Sequence, residues 1–127
     1  MRTIIHTDQA PAAIGPYNQA VVCNGIAYIS GQIAFDPQTG KIQMDDIQSE
    51  TDQVLHNLGA VLQACNSSYE QVIKCTIFMT NMNDYAAINA VYARYFPAET
   101  APAREAVAVK SLPRFVRVEI SCIAQVS

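Results

Sequence analysis

Three features of this 127-residue chain predict an α+β domain in which two helices pack on one face of a mixed β-sheet. Short β-favouring runs bounded by turn residues open and close the chain. An Asn-Gly pair joins two of the early runs, and two stretches, 45–65 and 84–96, carry apolar residues at helical spacing. The order is β, ββ, α, β, α, β, β within one domain spanning residues 1–127.

Arg2 to Ile5 reads as a short strand, followed by the loop Ala10-Pro11-Ala12-Ala13-Ile14-Gly15-Pro16-Tyr17. Two prolines and a glycine make that loop irregular, yet it is apolar where a solvated linker would carry Ser, Lys or Glu. It is therefore expected to pack and to deliver Tyr17 to a fixed place; sealing a core edge is an equal account of Tyr17. Gln19 to Cys23 and Ile26 to Ser30 flank Asn24-Gly25, a hairpin signal because both turn positions accept positive φ. Ser30-Gly31-Gln32 ends the second strand with a glycine that permits a bend or a close ligand.

Asp36-Pro37-Gln38-Thr39-Gly40 is a turn. A helix capped by Asp45 or Asp46 runs to about Cys65, with Ile47, Thr51, Val54, Leu55, Leu58, Val61, Leu62 and Cys65 as its core stripe. Val72 to Met79 is a strand with apolar residues on both faces, and Asp84 to Phe96 a second helix whose stripe Asn89 interrupts. The last two strands are the runs around Glu105 to Val109 and from Phe115 to Ala124.

Composition bounds the function. Half the residues are hydrophobic and mixed with polar ones, as in a globular protein. A net charge of -3 argues against nucleic acid as the main partner, and Lys110, Arg114 and Arg117, the one basic cluster, read as a solvated loop and strand end. Cys23, Cys65, Cys75 and Cys122 lack CxxC pairing and read as buried free thiols of a reducing compartment. His6 and His56 have no ligand partners at zinc spacing, so no metal is expected. With neither a signal peptide nor a run long enough to span a bilayer, a cytoplasmic protein without membrane contact is expected.

Two charges stand out inside apolar strands, Arg104 and Glu119. By alternation Arg104 shares a face with Ala106 and Ala108, leaving open space for a small carboxylate. Val116, Val118, Ile120, Cys122 and Ala124 form the apolar face of the last strand, so Glu119 looks away from the core, where it can handle a proton or a water. From these two residues alone an ordinary Arg-Glu ion pair on a sheet face is the stronger account.

Gly15-Pro16-Tyr17, Ser30-Gly31-Gln32, Asn83-Asp84-Tyr85 with Asn89, Pro102-Ala103-Arg104, Leu112-Pro113 and Val118-Glu119-Ile120 together resemble the RidA/YjgF family of imine deaminases over essentially the whole chain. The resemblance implies a chorismate-mutase-like fold with the last strand inside the sheet and the Arg104 strand towards an edge. It further implies a homotrimer with clefts between subunits and cofactor-independent hydrolysis of 2-imino or enamine acids to 2-keto acids and ammonia. In that scheme Arg104 grips the substrate carboxylate and Glu119 serves the water or the departing nitrogen. Tyr17, from the neighbouring subunit, counts with them as catalytic and lines the cleft with the substrate-binding Ser30, Gly31, Asn89 and Ala106.

The chain departs from the family pattern in carrying Glu105 after the arginine and Ala106 where many members have cysteine. Substrate preference is the property most exposed to these changes. A trimer that binds keto acids without turnover is the rival reading. Ribonuclease or translation-inhibiting activity, linked to some relatives, is disfavoured by the acidic balance and by the lack of a histidine near the motif.

Overall fold

The computed structural model describes residues 1–127. Six strands form one sheet: β1 (Arg2–Ile5), β2 (Ala20–Cys23), β3 (Ile26–Gln32), β4 (Val72–Met79), β5 (Ala103–Ala108) and β6 (Val118–Gln125), in the order β1-β2-β3-β6-β4-β5. All neighbours are antiparallel except β4 and β5. Helices α1 (Ile47–Ala64) and α2 (Tyr85–Tyr95) supply the α part of the fold.

Local chemistry explains most boundaries. Asn24 and Gly25 hold φ of 53° and 77°, the left-handed pair that a two-residue hairpin requires. Asp46 caps α1, its side chain accepting from the Ser49 N–H at 2.6 Å. That hydrogen bond holds the Asp46 carboxyl below its usual range. The β6 boundary differs from expectation. The strand begins at Val118 and not at Phe115, because Pro113–Phe115 form a 3-10 turn in which Arg114 and Phe115 take φ of 59° and 56°. Alternation cannot pass through two left-handed residues, so Phe115 points into solvent, 84% exposed.

The core lies between the helices and one sheet face. Val54, Leu55, Leu58, Val61 and Leu62 of α1 and Ile88 and Val91 of α2 are buried with Cys75, Ile77 and Met79 of β4 and Val118, Ile120, Cys122 and Ala124 of β6. A Cβ at Gly59 of α1 would overlap the Tyr69 hydroxyl, which donates to the Leu55 carbonyl at 2.8 Å. Cys65, Cys75 and Cys122 are buried thiols as expected, but Cys23, on the uncovered side of its hairpin, is only half-buried. No helix is long and apolar enough to cross a membrane.

One ion pair joins the layers. Glu50 of α1, fully buried, accepts from the Arg117 backbone N–H at 2.7 Å and from its Nε at 2.6 Å, while the same guanidinium donates to the Met44 carbonyl at 2.9 Å. Arg117 is thus not part of a solvated basic cluster, as its sequence neighbours suggested; it locks the entry of β6 to the first turn of α1. Removing one partner of such a pair leaves the other charge buried and unmatched. Arg117→Met is therefore expected to lower unfolding free energy by about 3–5 kcal/mol, measured by urea denaturation. A loss below about 1 kcal/mol would mean that the pair behaves like an exposed one.

Candidate active site

Register assigns each charged residue to a side of the sheet. On β4, Cys75 pairs with Arg104 and Phe78 pairs with Glu119. Cys75 and Phe78 are three residues apart, so Arg104 and Glu119 lie on opposite faces. Arg104 is on the helix-covered face and Glu119 on the open one, and no ion pair joins them. Neither the ion pair nor a shared site exists within one chain.

The Arg104 fork is not open, as its small strand neighbours had suggested; helix α2 fills the space beside it. One terminal nitrogen donates to Asn89 Oδ1 at 2.7 Å and the other to the Tyr85 hydroxyl at 2.7 Å. The guanidinium also lies 4.8 Å from the centroid of the Tyr92 ring and 5.7 Å from that of Tyr85. Tyr85, Asn89 and Tyr92 fall at i, i+4 and i+7, one stripe of α2. That stripe reads in the sequence as ordinary core, which is why Tyr85 and Tyr92 were missed; the signal was the asparagine between two tyrosines. The Tyr92 hydroxyl is buried without a hydrogen-bond partner. Ala106, two residues along the Arg104 face, packs half-buried against the core.

Glu105 faces the other way and pairs with Lys74 at 2.5 Å, which holds its carboxyl below the usual range. It leaves Arg104 un-neutralised. No carboxylate of the chain pairs with Arg104, although three of its nitrogen-bound hydrogens remain after the Asn89 and Tyr85 bonds.

Glu119 meets a different group. The pairing of β3 with β6 shifts between Ile29 and Gln32, and within this irregularity Gly31 brings its Cα against the Glu119 carboxylate, where an added Cβ would overlap Glu119 Oε2. Gly31 is thus required for close approach and not for positive φ. Burial raises the Glu119 carboxyl above the ordinary value of 4.5. Ser30, beside Gly31, donates its hydroxyl to the Asn18 carbonyl at 2.6 Å. Tyr17, 52% exposed, shares with Ser30 a surface concavity of about 590 Å³ that neither Arg104 nor Glu119 lines. The chain therefore brings Arg104 to Asn89 on one side of the sheet and, apart from them, Glu119 to Gly31, which is next to Ser30 and shares a second concavity with Tyr17. No three His, Cys, Asp or Glu side chains converge at metal-binding distance.

These features define a class: an α+β protein with one six-stranded sheet, an oriented guanidinium on its edge strand and a half-buried carboxylate on the opposite face. A family model described as Endoribonuclease L-PSP matches residues 7–126. The 2-iminobutanoate/2-iminopropanoate deaminase of Mus musculus is 44% identical over 98% of this chain and 91% of its own length. Reactive Intermediate Deaminase A, chloroplastic, of Arabidopsis thaliana is 40% identical over 97% of this chain and 65% of its own. Among solved structures, E. coli TdcF with bound serine superposes with a TM-score of 0.92 at 42% identity, covering 98% of this chain and 99% of that one. The chain belongs to this L-PSP family, the YjgF/RidA proteins.

The raised carboxyl of Glu119 gives a stability signature. A folded value above the unfolded one means that ionisation costs stability as pH rises through the folded value, and that the cost vanishes below the unfolded value. Glu119→Gln removes the ionisation. Its melting temperature is expected to equal or exceed the parent's at pH 7, with the gap closing as pH falls below the ordinary glutamate range. A variant clearly less stable than the parent at pH 7 would assign Glu119 a structural, ion-pair-like role.

Proposed function

We propose that the protein hydrolyses reactive 2-imino and enamine acids, 2-iminopropanoate and 2-iminobutanoate among them, to pyruvate or 2-oxobutanoate and ammonia, without a cofactor. One observation carries this reading: a guanidinium fixed by Asn89, Tyr85 and Tyr92 that no carboxylate of the chain neutralises. Such a group is preorganised for a small anion such as the substrate carboxylate. The deaminase names of the mouse and Arabidopsis relatives, and the amino acid bound to TdcF, support the same class of ligand. A ribonuclease reading gains little support, because Arg117, one of the few clustered cations, is tied to Glu50.

Opposite faces for Arg104 and Glu119 support a site completed by a second subunit. One subunit supplies Arg104 and Asn89, with Ala106 behind them; its neighbour supplies Glu119, Gly31, Ser30 and Tyr17. The open sheet face favours the homotrimer that such a site needs, since Tyr28 and Val107 are exposed there and Val21, Phe78 and Ile123 are only half-buried.

The reaction then needs only positioning and proton transfer. Arg104 holds the carboxylate. The substrate enters as the iminium ion, its nitrogen protonated from solvent; ionised Glu119 takes a proton from water as the water oxygen bonds to C2, and the C=N π pair passes to nitrogen. Glu119 next delivers its proton to the nitrogen of the carbinolamine. The C–N bond breaks, ammonia leaves, and the hydroxyl proton passes to the now ionised Glu119 and on to solvent, completing the keto acid. A carboxyl raised by burial is better matched to this two-way transfer near neutral pH than an ordinary glutamate.

Light scattering is expected to give three times the chain mass, and a dehydratase that releases 2-iminopropanoate should yield pyruvate faster with the protein than without it. Glu119→Gln is expected to keep pyruvate binding while turnover falls roughly 10²-fold or more. Arg104→Lys keeps the charge but removes the planar fork, so binding and turnover should both fall. Refolded together, the two variants should regain activity, because mixed trimers contain sites with both parental residues. No recovery would place both groups on one chain, and no turnover by the parent would leave a keto-acid-binding protein.

A further inference from the structure

We propose that a cavity between the 11–14 loop, Ile33 to Phe35 and Pro113 receives the apolar side chain of the 2-imino or 2-keto acid, making the protein selective for acids with branched or larger side chains over the three-carbon one. The proposal rests on the deaminase reading for the reaction but on separate residues for selectivity.

The cavity holds about 370 Å³, and Pro11, Ala13, Ile14, Ile33, Phe35 and Pro113 form much of its wall. That is the small end of the range for ligand pockets, too large for a methyl group alone. Its position ties it to the chemistry. Gly31 lines the cavity, and the Cα of the same residue abuts the Glu119 carboxylate. In the proposed site, a substrate with C2 beside Glu119 would direct its C3 substituent past Gly31 towards this cavity.

Two polar side chains of the wall are engaged inside the protein, while the exposed Tyr17 and Arg114 complete the lining. Gln19, buried at the cavity edge, accepts from the Thr7 N–H at 2.7 Å and donates to the Thr7 and Pro11 carbonyls at 3.0 and 2.8 Å. Gln32, also buried, donates to the Ser30 carbonyl at 3.2 Å.

The walls are preformed. Gln19 pins the start of the 11–14 loop, and Asn57 of α1, fully buried, donates to the Ile33 and Phe35 carbonyls at 3.0 and 2.8 Å. The two segments are thereby held by buried amides, and Phe35 also bridges to Ile42. Preorganisation of this kind lets buried apolar contact appear as affinity instead of being spent on ordering the loops.

The test compares pyruvate with 4-methyl-2-oxopentanoate by calorimetry on the full chain. Each methylene in an apolar pocket is worth roughly 10-fold or more, so the branched acid is expected to bind at least that much more tightly. Ala13→Phe fills the cavity and should bring the two affinities together, whereas Phe35→Ala enlarges it and should shift preference towards 2-oxo-3-phenylpropanoate. Equal affinities in the parent, or a parental ratio retained in both variants, would overturn the pocket. Turnover of 2-iminopropanoate separates the two readings. Turnover without side-chain preference sinks the pocket alone; a preference erased by Ala13→Phe without turnover sinks the deaminase reading and leaves the pocket assigned.

Discussion

Strand β6 is the constraint on which the rest of the molecule depends. It lies inside the sheet between β3 and β4, antiparallel to both, so its backbone groups are committed on two sides and its side chains can only alternate. Val118, Ile120, Cys122 and Ala124 face the helices and are buried, which sends Glu119 and Ser121 to the open face. A slip of one residue would bury the carboxylate and expose the core. The Glu50–Arg117 pair holds the N-terminal end of the strand, and Ser67 donating to the Gln125 carbonyl holds the other. The pair ties the start of β6 to the first turn of α1, and removing either partner would leave the other unmatched.

A second theme is how the sheet keeps its charges apart. Arg104 and Glu105 are neighbours in sequence, yet pleating sends them to different faces, one to Asn89 and Tyr85, the other to Lys74. The lysine removes the one carboxylate covalently closest to the arginine from competition. Aromatic rings behind the guanidinium stabilise its charge without neutralising it, leaving Coulombic attraction available to an incoming anion. Glu119 shows the complementary device. Its close approach to Gly31 removes water without supplying a cation, so the carboxyl is raised by burial alone.

Loops complete the open side, and buried amides hold them. Gln19 and Asn57 each satisfy several backbone groups that no strand or helix could reach. Apolar loop residues then line a cavity without collapsing into it.

What the sequence determined by itself was whatever depends on local alternation and turn chemistry. The Asn24-Gly25 hairpin, the α1 stripe from Val54 to Leu62 and the outward aim of Glu119 follow from turn chemistry or periodicity within one element, whereas the choice of Asp46 over Asp45 as the α1 cap was left to the structure. The resemblance added the interior place of β6 and the edge place of β5, and the strand order bears out both. Tertiary structure decided everything that required two elements to meet. No periodicity announces that Arg117 reaches Glu50, 67 residues away, or that α2 carries Tyr85 and Asn89 over Arg104. The opposite faces of Arg104 and Glu119 were likewise hidden, because each strand's parity is visible alone but their relation passes through β4. Alternation is a property of one chain segment; the side of the sheet on which it begins is set only when neighbouring strands hydrogen-bond in register.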